Sequence, residues 1–297
     1  MRCGPSIRLF VIVTGIFVAG CQKSAPDVPE DSVSIPSAPA LQDPLGDRTR
    51  QLQQEMAAKN PQMKAEQLQI VPRDGQIVAV EVREAGVTDL SPLTGLPLEV
   101  LGLAGNPVSD LTALRGMPLT ELDLEGTQVV DLLPLAGMPL QSLWLNHAPV
   151  ADLTPLTGAP LRQLSLLGTK VTDVAPLKDA PLESLWLNET QVTDLSPLVS
   201  APLISVTLHQ TPVSDISIAR NWPGLQRLHL GESQVTDLRP LAGLRLTRLI
   251  ITPGRIKDGL DVVRQMDTLT ELDVEFREPK PWSPAEFWQR YDAGELR

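Results

Sequence analysis

The feature that most constrains this chain is an internal repeat of 21 residues. From Val87, six consecutive units begin with valine and keep the same apolar spacing, as in VTDLSPLTGLPLEVLGLAGNP and VSDLTALRGMPLTELDLEGTQ. A seventh unit, from Val213, is one residue longer, an eighth starts at Val235, and a degenerate ninth begins at Ile256. A period of this length predicts a stack of similar structural units rather than one globular core.

A single unit is too small to fold alone, because its few apolar side chains cannot offset the conformational entropy lost on ordering it. Stacking buries both sides of each leucine row and pairs the short strands of neighbouring units. Only 3% of the residues are aromatic, so leucine and valine must fill the core. The sequence therefore predicts an α/β repeat solenoid, with a parallel concave sheet and short helical or 3-10 turns on the convex side.

Within each unit the pattern L-x-x-L-x-L, seen at Leu98, Leu101 and Leu103, resembles the leucine-rich repeat. The preceding VTDLSPL resembles the bacterial internalin-type subclass. The resemblance spans residues 87–276, about nine repeats. A proline directly precedes the strand leucine in six units, where a missing N–H costs least.

Recurring polar positions have a structural explanation. Nine aspartates would form a column of like charges with neighbours about 5 Å apart, unless each one caps a short helical turn. A calcium column is the alternative. The asparagine that usually follows the strand survives at Asn106, and in five other repeats a hydroxyl residue stands there and can still bond the turn backbone. The aspartates are Asp89, Asp110, Asp131, Asp152, Asp173, Asp194, Asp215, Asp237 and Asp258.

The N-terminus predicts export and lipidation. Arg2 and Arg8 precede a short apolar run typical of a secretory signal, assigned to residues 1–20. The motif VAGC at residues 18–21 resembles the lipobox of bacterial lipoproteins, which implies acylation of Cys21. An ordinary secreted protein and an uncleaved anchor are the alternatives. Residues 21–46 are rich in Pro, Ser, Ala and acids and predict a disordered tether.

Both ends of the array need caps, because an exposed leucine ladder would aggregate. Residues 47–86 predict a helix with Leu52 and Met56 one turn apart, ended by Pro61, and then two strands joined by a turn at residues 73–75.

Residues 277–297 predict a C-terminal cap helix, for which a binding helix is the alternative. Ser283 is its N-cap, Pro284 its first residue and Glu286 its capping-box residue. This tail resembles the segment that closes repeat arrays attached to planctomycete serine/threonine kinases, but no kinase motif accompanies it.

The residues that alternate with the strand leucines are expected on the concave face. Trp144 and Trp186 would lie there two strands, or about 10 Å, apart. With small Ser165 between them and Asn146 and Asn188 beside them, they predict a slot for a peptide or sugar. The alternative is that the tryptophans cover backbone or each other.

The other end of this face carries basic residues. His209, Arg227 and His229 are candidates for binding an anionic group or for a response to mildly acidic pH. A metal pair was conceivable there, and solvated surface histidines are the alternative. Glu121, Asp123 and Glu125 at one end and Arg227, His229 and Arg248 at the other predict a charge gradient along the face.

These features predict a non-catalytic binding protein without cofactor or metal. The net charge of −11 argues against nucleic acid and anionic lipid surfaces as partners. No constellation of nucleophile, base and oxyanion donors stands out, and there is no phosphate loop. We expect a lipoprotein of the cell envelope, facing the extracytoplasmic space, that binds a protein or peptide on its concave face. The alternative is an envelope structural or adhesive protein that contacts polysaccharide or itself.

Overall fold

The computed structural model describes residues 44–277 and 280–296. The predicted signal, Cys21 and nearly all of the predicted tether lie outside these residues. The first element, α1 (Pro44–Lys59), begins inside the segment assigned to the tether and ends before Pro61, as predicted. Proline has no N–H to lose at a helix start, so Pro44 can begin the helix. None of the helices in the described part of the chain has the length and apolarity needed to cross a bilayer.

Eleven strands form one sheet in chain order. The first two are antiparallel and form the predicted hairpin, and every later strand is parallel to its predecessor. The predicted leucine-rich repeat fold is therefore confirmed. The strands are β1 (Gln69–Arg73), β2 (Gln76–Glu81), β3 (Val100–Gly102), β4 (Glu121–Asp123), β5 (Ser142–Trp144), β6 (Gln163–Ser165), β7 (Ser184–Trp186), β8 (Ser205–Thr207), β9 (Arg227–His229), β10 (Arg248–Ile250) and β11 (Glu271–Asp273).

Equivalent residues of successive repeats pair directly. Leu101 pairs with Leu122, Leu122 with Leu143, and Leu143 with Leu164, and all four are buried. From β2 to β10, the backbone leaves each strand and returns to the next one through a 3-10 turn. These turns span Ser91–Leu93, Thr112–Leu114, Leu133–Leu135, Thr154–Leu156, Ala175–Leu177, Ser196–Leu198, Ser217–Asn221 and Arg239–Leu241.

The aspartate column is held by the backbone, as predicted. In eight of the nine repeats the carboxylate Oδ1 accepts the N–H two residues on, at 2.7 to 2.9 Å. The aspartate stands one residue before the N-cap of the 3-10 turn, which is Leu90 in the first repeat. Hydrogen bonds from Thr154 hold the pKa of Asp152 below its usual value.

The calcium alternative finds no support in this part of the chain. No cluster of three or more His, Cys, Asp or Glu side chains that could hold a metal ion occurs among residues 44–277 and 280–296. Each capping carboxylate is used within its own turn.

The hydroxyl residues that replace the asparagine after the strand also bond the backbone, as predicted. The hydroxyls of Thr127, Thr169, Thr190, Thr211 and Ser233 each donate to the carbonyl three residues earlier. Asn106 makes more hydrogen bonds than these hydroxyls, because its Oδ1 accepts the N–H groups of Ala85 and Val87. Buried Asn60, after α1, accepts the N–H groups of Thr88 and Asp89 in the same way and ties the cap to the first repeat.

The C-terminal end is covered by α3 (Pro284–Asp292), and α2 (Leu260–Arg264) precedes β11. Ser283 and Glu286 form the predicted capping box. Phe287 is completely buried, so the helix packs on the last repeat as predicted. The segment before it follows the free edge of β11, where the Leu272 N–H donates to the carbonyl of Trp282 at 3.1 Å.

One turn position, three residues after the strand, has a left-handed backbone after each of the strands β2 to β9. Glycine occupies it at Gly105, Gly126 and Gly168, but His147 and Glu189 adopt it with φ of 59° and 60°. Left-handed backbone costs a residue with a Cβ about 1–2 kcal/mol. His147, for which the sequence suggested no role, therefore occupies a strained position in its repeat.

We expect the Gly168→Ala variant to lower the free energy of unfolding by about 1–2 kcal/mol, because alanine at φ +65° is strained. The new Cβ would also stand 2.5 Å from Nδ1 of His147. Glu189→Gly should be neutral or stabilising. Urea unfolding measures both. Gly224→Ala is the control, since its φ is not left-handed and its Cβ would make only an ordinary 3.8 Å contact. If Gly168→Ala and Gly224→Ala lowered the free energy of unfolding equally, the strain assigned to the left-handed backbone at position 168 would be contradicted.

Candidate binding site on the open face of the sheet

Each of the strands β3 to β11 has three residues, of which the central one is buried. The side chains of the first and third residues form what we call the open face of the sheet. They make two columns that run across the strands. The first column is Val100, Glu121, Ser142, Gln163, Ser184, Ser205, Arg227, Arg248 and Glu271, and the second is Gly102, Asp123, Trp144, Ser165, Trp186, Thr207, His229, Ile250 and Asp273. The expectation that every such side chain is displayed is wrong, because Asp123, Ser165 and Ile250 are buried.

The predicted slot between the two tryptophans is not open. Trp144 and Trp186 are half-buried and flank Ser165 in register, but Ser165 is only 2% exposed. Its hydroxyl donates to Oδ1 of Asn146, whose amide donates to Glu125 Oε2 at 3.1 Å. The small residue that was expected to form the floor of a slot is thus covered.

Asn188 is also used internally. Its Oδ1 accepts the backbone N–H of His209 at 3.2 Å. The two asparagines expected to fix polar groups of a ligand therefore bond the protein in this structure. Any binding role for Trp144, Asn146, Ser165 and Asn188 stays a prediction.

The open face instead forms a cavity further along the array. It has a volume of about 390 Å³. Trp186 and Phe276 both contribute to its wall. The lining comprises Trp186, Ser205, Val206, Thr207, Arg227, Leu228, His229, Thr247, Arg248, Ile250, Glu271 and Phe276. We call it the Trp186–Phe276 cavity. Its size falls within the range of roughly 300–1,000 Å³ that is common for ligand clefts.

Two arginines in this cavity occupy different environments. Nε of Arg248 donates to Glu271 Oε2, and its guanidinium lies 5.4 Å from the ring centroid of Phe276. Arg227 is exposed, and its side chain makes no hydrogen bond or ion pair within the described ranges. Its charge is therefore available to a ligand.

The predicted acidic end of the face includes an ion pair with the N-terminal cap. Asp123 is 2% exposed and accepts a hydrogen bond from the guanidinium of Arg83 at 3.1 Å. Arg83 also pairs with Glu81. The N-terminal cap thus adds one cation and one anion at this end, and the predicted charge gradient stays a prediction.

His209 and His229 stack, with ring centroids 4.9 Å apart. Nδ1–H of His209 donates to the carbonyl of Gly231 at 2.9 Å. Burial, with the nearby charges of His209 and Arg248, lowers the pKa of His229 to about 4. His229 is therefore neutral at pH 7, and the alternative of freely solvated histidines is wrong for this residue.

Glycine at position 231 makes room for both rings. A Cβ there would stand 2.8 Å from Nε2 of His229 and 3.2 Å from Nδ1 of His209. Two buried polar atoms of this region, Nε2 of His229 and Oγ1 of Thr207, have no hydrogen-bond partner among the described residues. Such atoms are rare in folded proteins and indicate a place where water or ligand completes the site.

Three of the eight predicted binding residues, Trp186, Arg227 and His229, thus line one cavity. A fourth, His209, stacks on His229. Three further lining residues, Thr207, Glu271 and Phe276, were not among the binding residues predicted from the sequence. Phe276 carried one usable signal, since it is one of only four phenylalanines and follows the last strand. Glu271 occupies the same repeat position as Arg227 and Arg248.

An in-register parallel sheet, 3-10 turns and a cavity on the open face define a leucine-rich repeat protein. The chain is similar to an internalin, InlF, from Listeria monocytogenes, at 29% identity and a TM-score of 0.62, over 75% of this chain and 74% of that one. It is also similar to internalin C2 of that species, at 29% identity and a TM-score of 0.59, over 68% and 92%. These likenesses support the prediction of internalin-type repeats.

A plant peptide hormone receptor, RGFR1, solved in complex with RGF2, shares the fold at 14% identity and a TM-score of 0.54, over 69% of this chain and 36% of that one. No family model matches the chain. No curated protein matches it either.

The lowered pKa of His229 predicts a pH-dependent stability. The unfolded chain binds a proton at this histidine below about pH 6.5, whereas the folded chain does so only near pH 4, so stability should fall as pH drops through that window. The loss should be on the order of 3 kcal/mol at pH 4. We expect His229→Gln to flatten the curve, measured by urea unfolding at several pH values. His147→Gln, at an exposed turn position, should keep the wild-type slope. If stability depended on pH in His229→Gln as it does in the wild type, the lowered pKa assigned to His229 would be contradicted.

Proposed function

We propose that this chain is a non-catalytic binding protein that holds a protein or peptide partner on the open face of its sheet. The observation that carries the proposal is the Trp186–Phe276 cavity. It combines aromatic walls, the cation of Arg227 and two buried polar atoms, and within the described residues neither that cation nor those atoms have a bonding partner. Aromatic side chains and arginine are the residue types that dominate binding energy at protein interfaces.

The proposal includes the cell envelope as the place of action. It rests on the resemblance of residues 18–21 to a lipobox and on the tether-like composition of the residues that follow. Acylation of Cys21 would hold the array at a membrane surface, with its open face turned to extracytoplasmic partners.

Site-specific photo-cross-linking tests the binding proposal. A benzophenone amino acid is placed at Thr247, which lines the cavity, or at Arg220, which lies exposed on the 3-10 turn Ser217–Asn221. Irradiation of intact cells should give a protein adduct from position 247 and none from position 220, because only the first faces the partner. Mass spectrometry identifies the adduct.

Trp186→Ala should suppress the adduct at position 247, since it removes one wall of the cavity, while Trp144→Ala should not. Equal adducts from positions 247 and 220 would overturn the proposal. An adduct with polysaccharide, or with a second copy of the chain, would favour the structural or adhesive alternative.

Lipidation has its own test. We expect the full chain to incorporate labelled palmitate in a bacterial host and Cys21→Ala to lose that label, because the thiol is the acyl acceptor. Cys3→Ala should label normally, since Cys3 lies within the predicted signal. Labelling that survives Cys21→Ala would exclude this anchor.

A further inference from the structure

The charge of the Trp186–Phe276 cavity differs from that of the whole chain. Its charged lining residues are Arg227, Arg248 and Glu271, and Glu271 already pairs with Arg248. His229 is neutral, so the cavity carries one net positive charge, which belongs to Arg227. The chain as a whole has a net charge of −11. A local cation in an acidic protein favours an anionic group at this one place.

The positions of the two arginines suit a carboxylate. Arg227 and Arg248 pair directly on neighbouring strands, in the same column. Strands lie about 4.8 Å apart, so two guanidiniums at this spacing can reach one ligand group. Guanidinium matches a carboxylate with two parallel hydrogen bonds. Arg227 can supply such a pair, while Arg248 stays bonded to Glu271 beside it.

An apolar surface adjoins these cations. Phe276 is 57% exposed, which is unusual for a large apolar side chain, and it lies against the Arg248 guanidinium. Ile250 contributes to the same wall. A ligand that places an alkyl or aromatic group here would cover the phenylalanine and displace water from it.

We propose that the cavity binds an acidic residue of an extended peptide or protein segment, with the carboxylate on Arg227 and an adjacent apolar side chain against Phe276. This inference rests on the proposed function and names the chemistry of its partner. A uronate polysaccharide also offers carboxylates, but it has no apolar side chain for Phe276. The structure therefore favours a peptide.

A positional-scanning hexapeptide library tests this on the full chain. In each sublibrary one position is fixed and the others are randomised, and binding is measured for every fixed residue. We expect Asp or Glu to be selected at one position and an apolar residue next to it. For the selected acidic peptide, Arg227→Gln should weaken affinity by about tenfold or more, the size expected for charged hydrogen bonds. Arg227→Glu should select Lys or Arg at that position instead.

Arg220→Gln is the matched control, because it removes the same charge from an exposed turn outside the cavity. Both variants should keep the wild-type melting temperature, since both arginines are exposed. Selection of a sequence without an acidic residue, or an Arg227→Gln variant that binds as well as wild type, would overturn this inference and leave the proposed function intact. No selection at any position would count against peptide binding itself. Arg227-dependent binding of polygalacturonate in that case would assign the cavity to polysaccharide.

Discussion

The structure depends on the pairing of each repeat with the same residues of its neighbour. Because Leu101 lies opposite Leu122 and every later strand continues this register, whatever one repeat places at a position is multiplied into a column. Apolar columns gain from this, since each leucine is covered on both sides. A charged column is stable only if each member is bonded within its own turn. The aspartates meet this requirement, because each accepts the N–H two residues on. The polar but uncharged threonines that follow the strands are bonded in a similar way, each to a carbonyl of its own turn.

The same register explains where the cavity forms. In the second column of the open face, bulky Trp144 and Trp186 flank small Ser165, which is buried. After Trp186 the column continues with the medium-sized side chains of Thr207, His229 and Ile250, which cannot fill the space to the next aromatic, Phe276. A hollow remains there, and it is in this stretch that the first column changes from serine to arginine. Departures from the repeat consensus, rather than the consensus itself, thus mark the candidate site.

The period was enough to predict the fold, because nine copies of one pattern reinforce the same hydrophobic and turn signals. The caps were also predictable, since Ser283 and Glu286 form a local motif. The details of the site were not. Alternation places Ser165 on the open face, but it does not reveal that this side chain is buried and bonded to Asn146. Phe276 reaches the cavity through the path of the tail after β11, which no repeat encodes. The bond between Arg248 and Glu271 follows from register, but the strand of Glu271 belongs to the most degenerate repeat.

The two ends of the sheet bear on how a partner can bind. A free strand edge would offer backbone hydrogen bonds to another chain. At the N-terminal end, β1 carries Pro72, which has no N–H, at a point where its register with β2 shifts. At the C-terminal end, the residues around Trp282 bond Leu272 and the carboxylate of Asp273. Strand addition at either end is therefore hindered, and recognition falls to the side chains of the open face. Among the described residues, that face has one stretch where a cation and an exposed aromatic ring lie together beside buried polar atoms without a hydrogen-bond partner, and these features together make the Trp186–Phe276 cavity the candidate site.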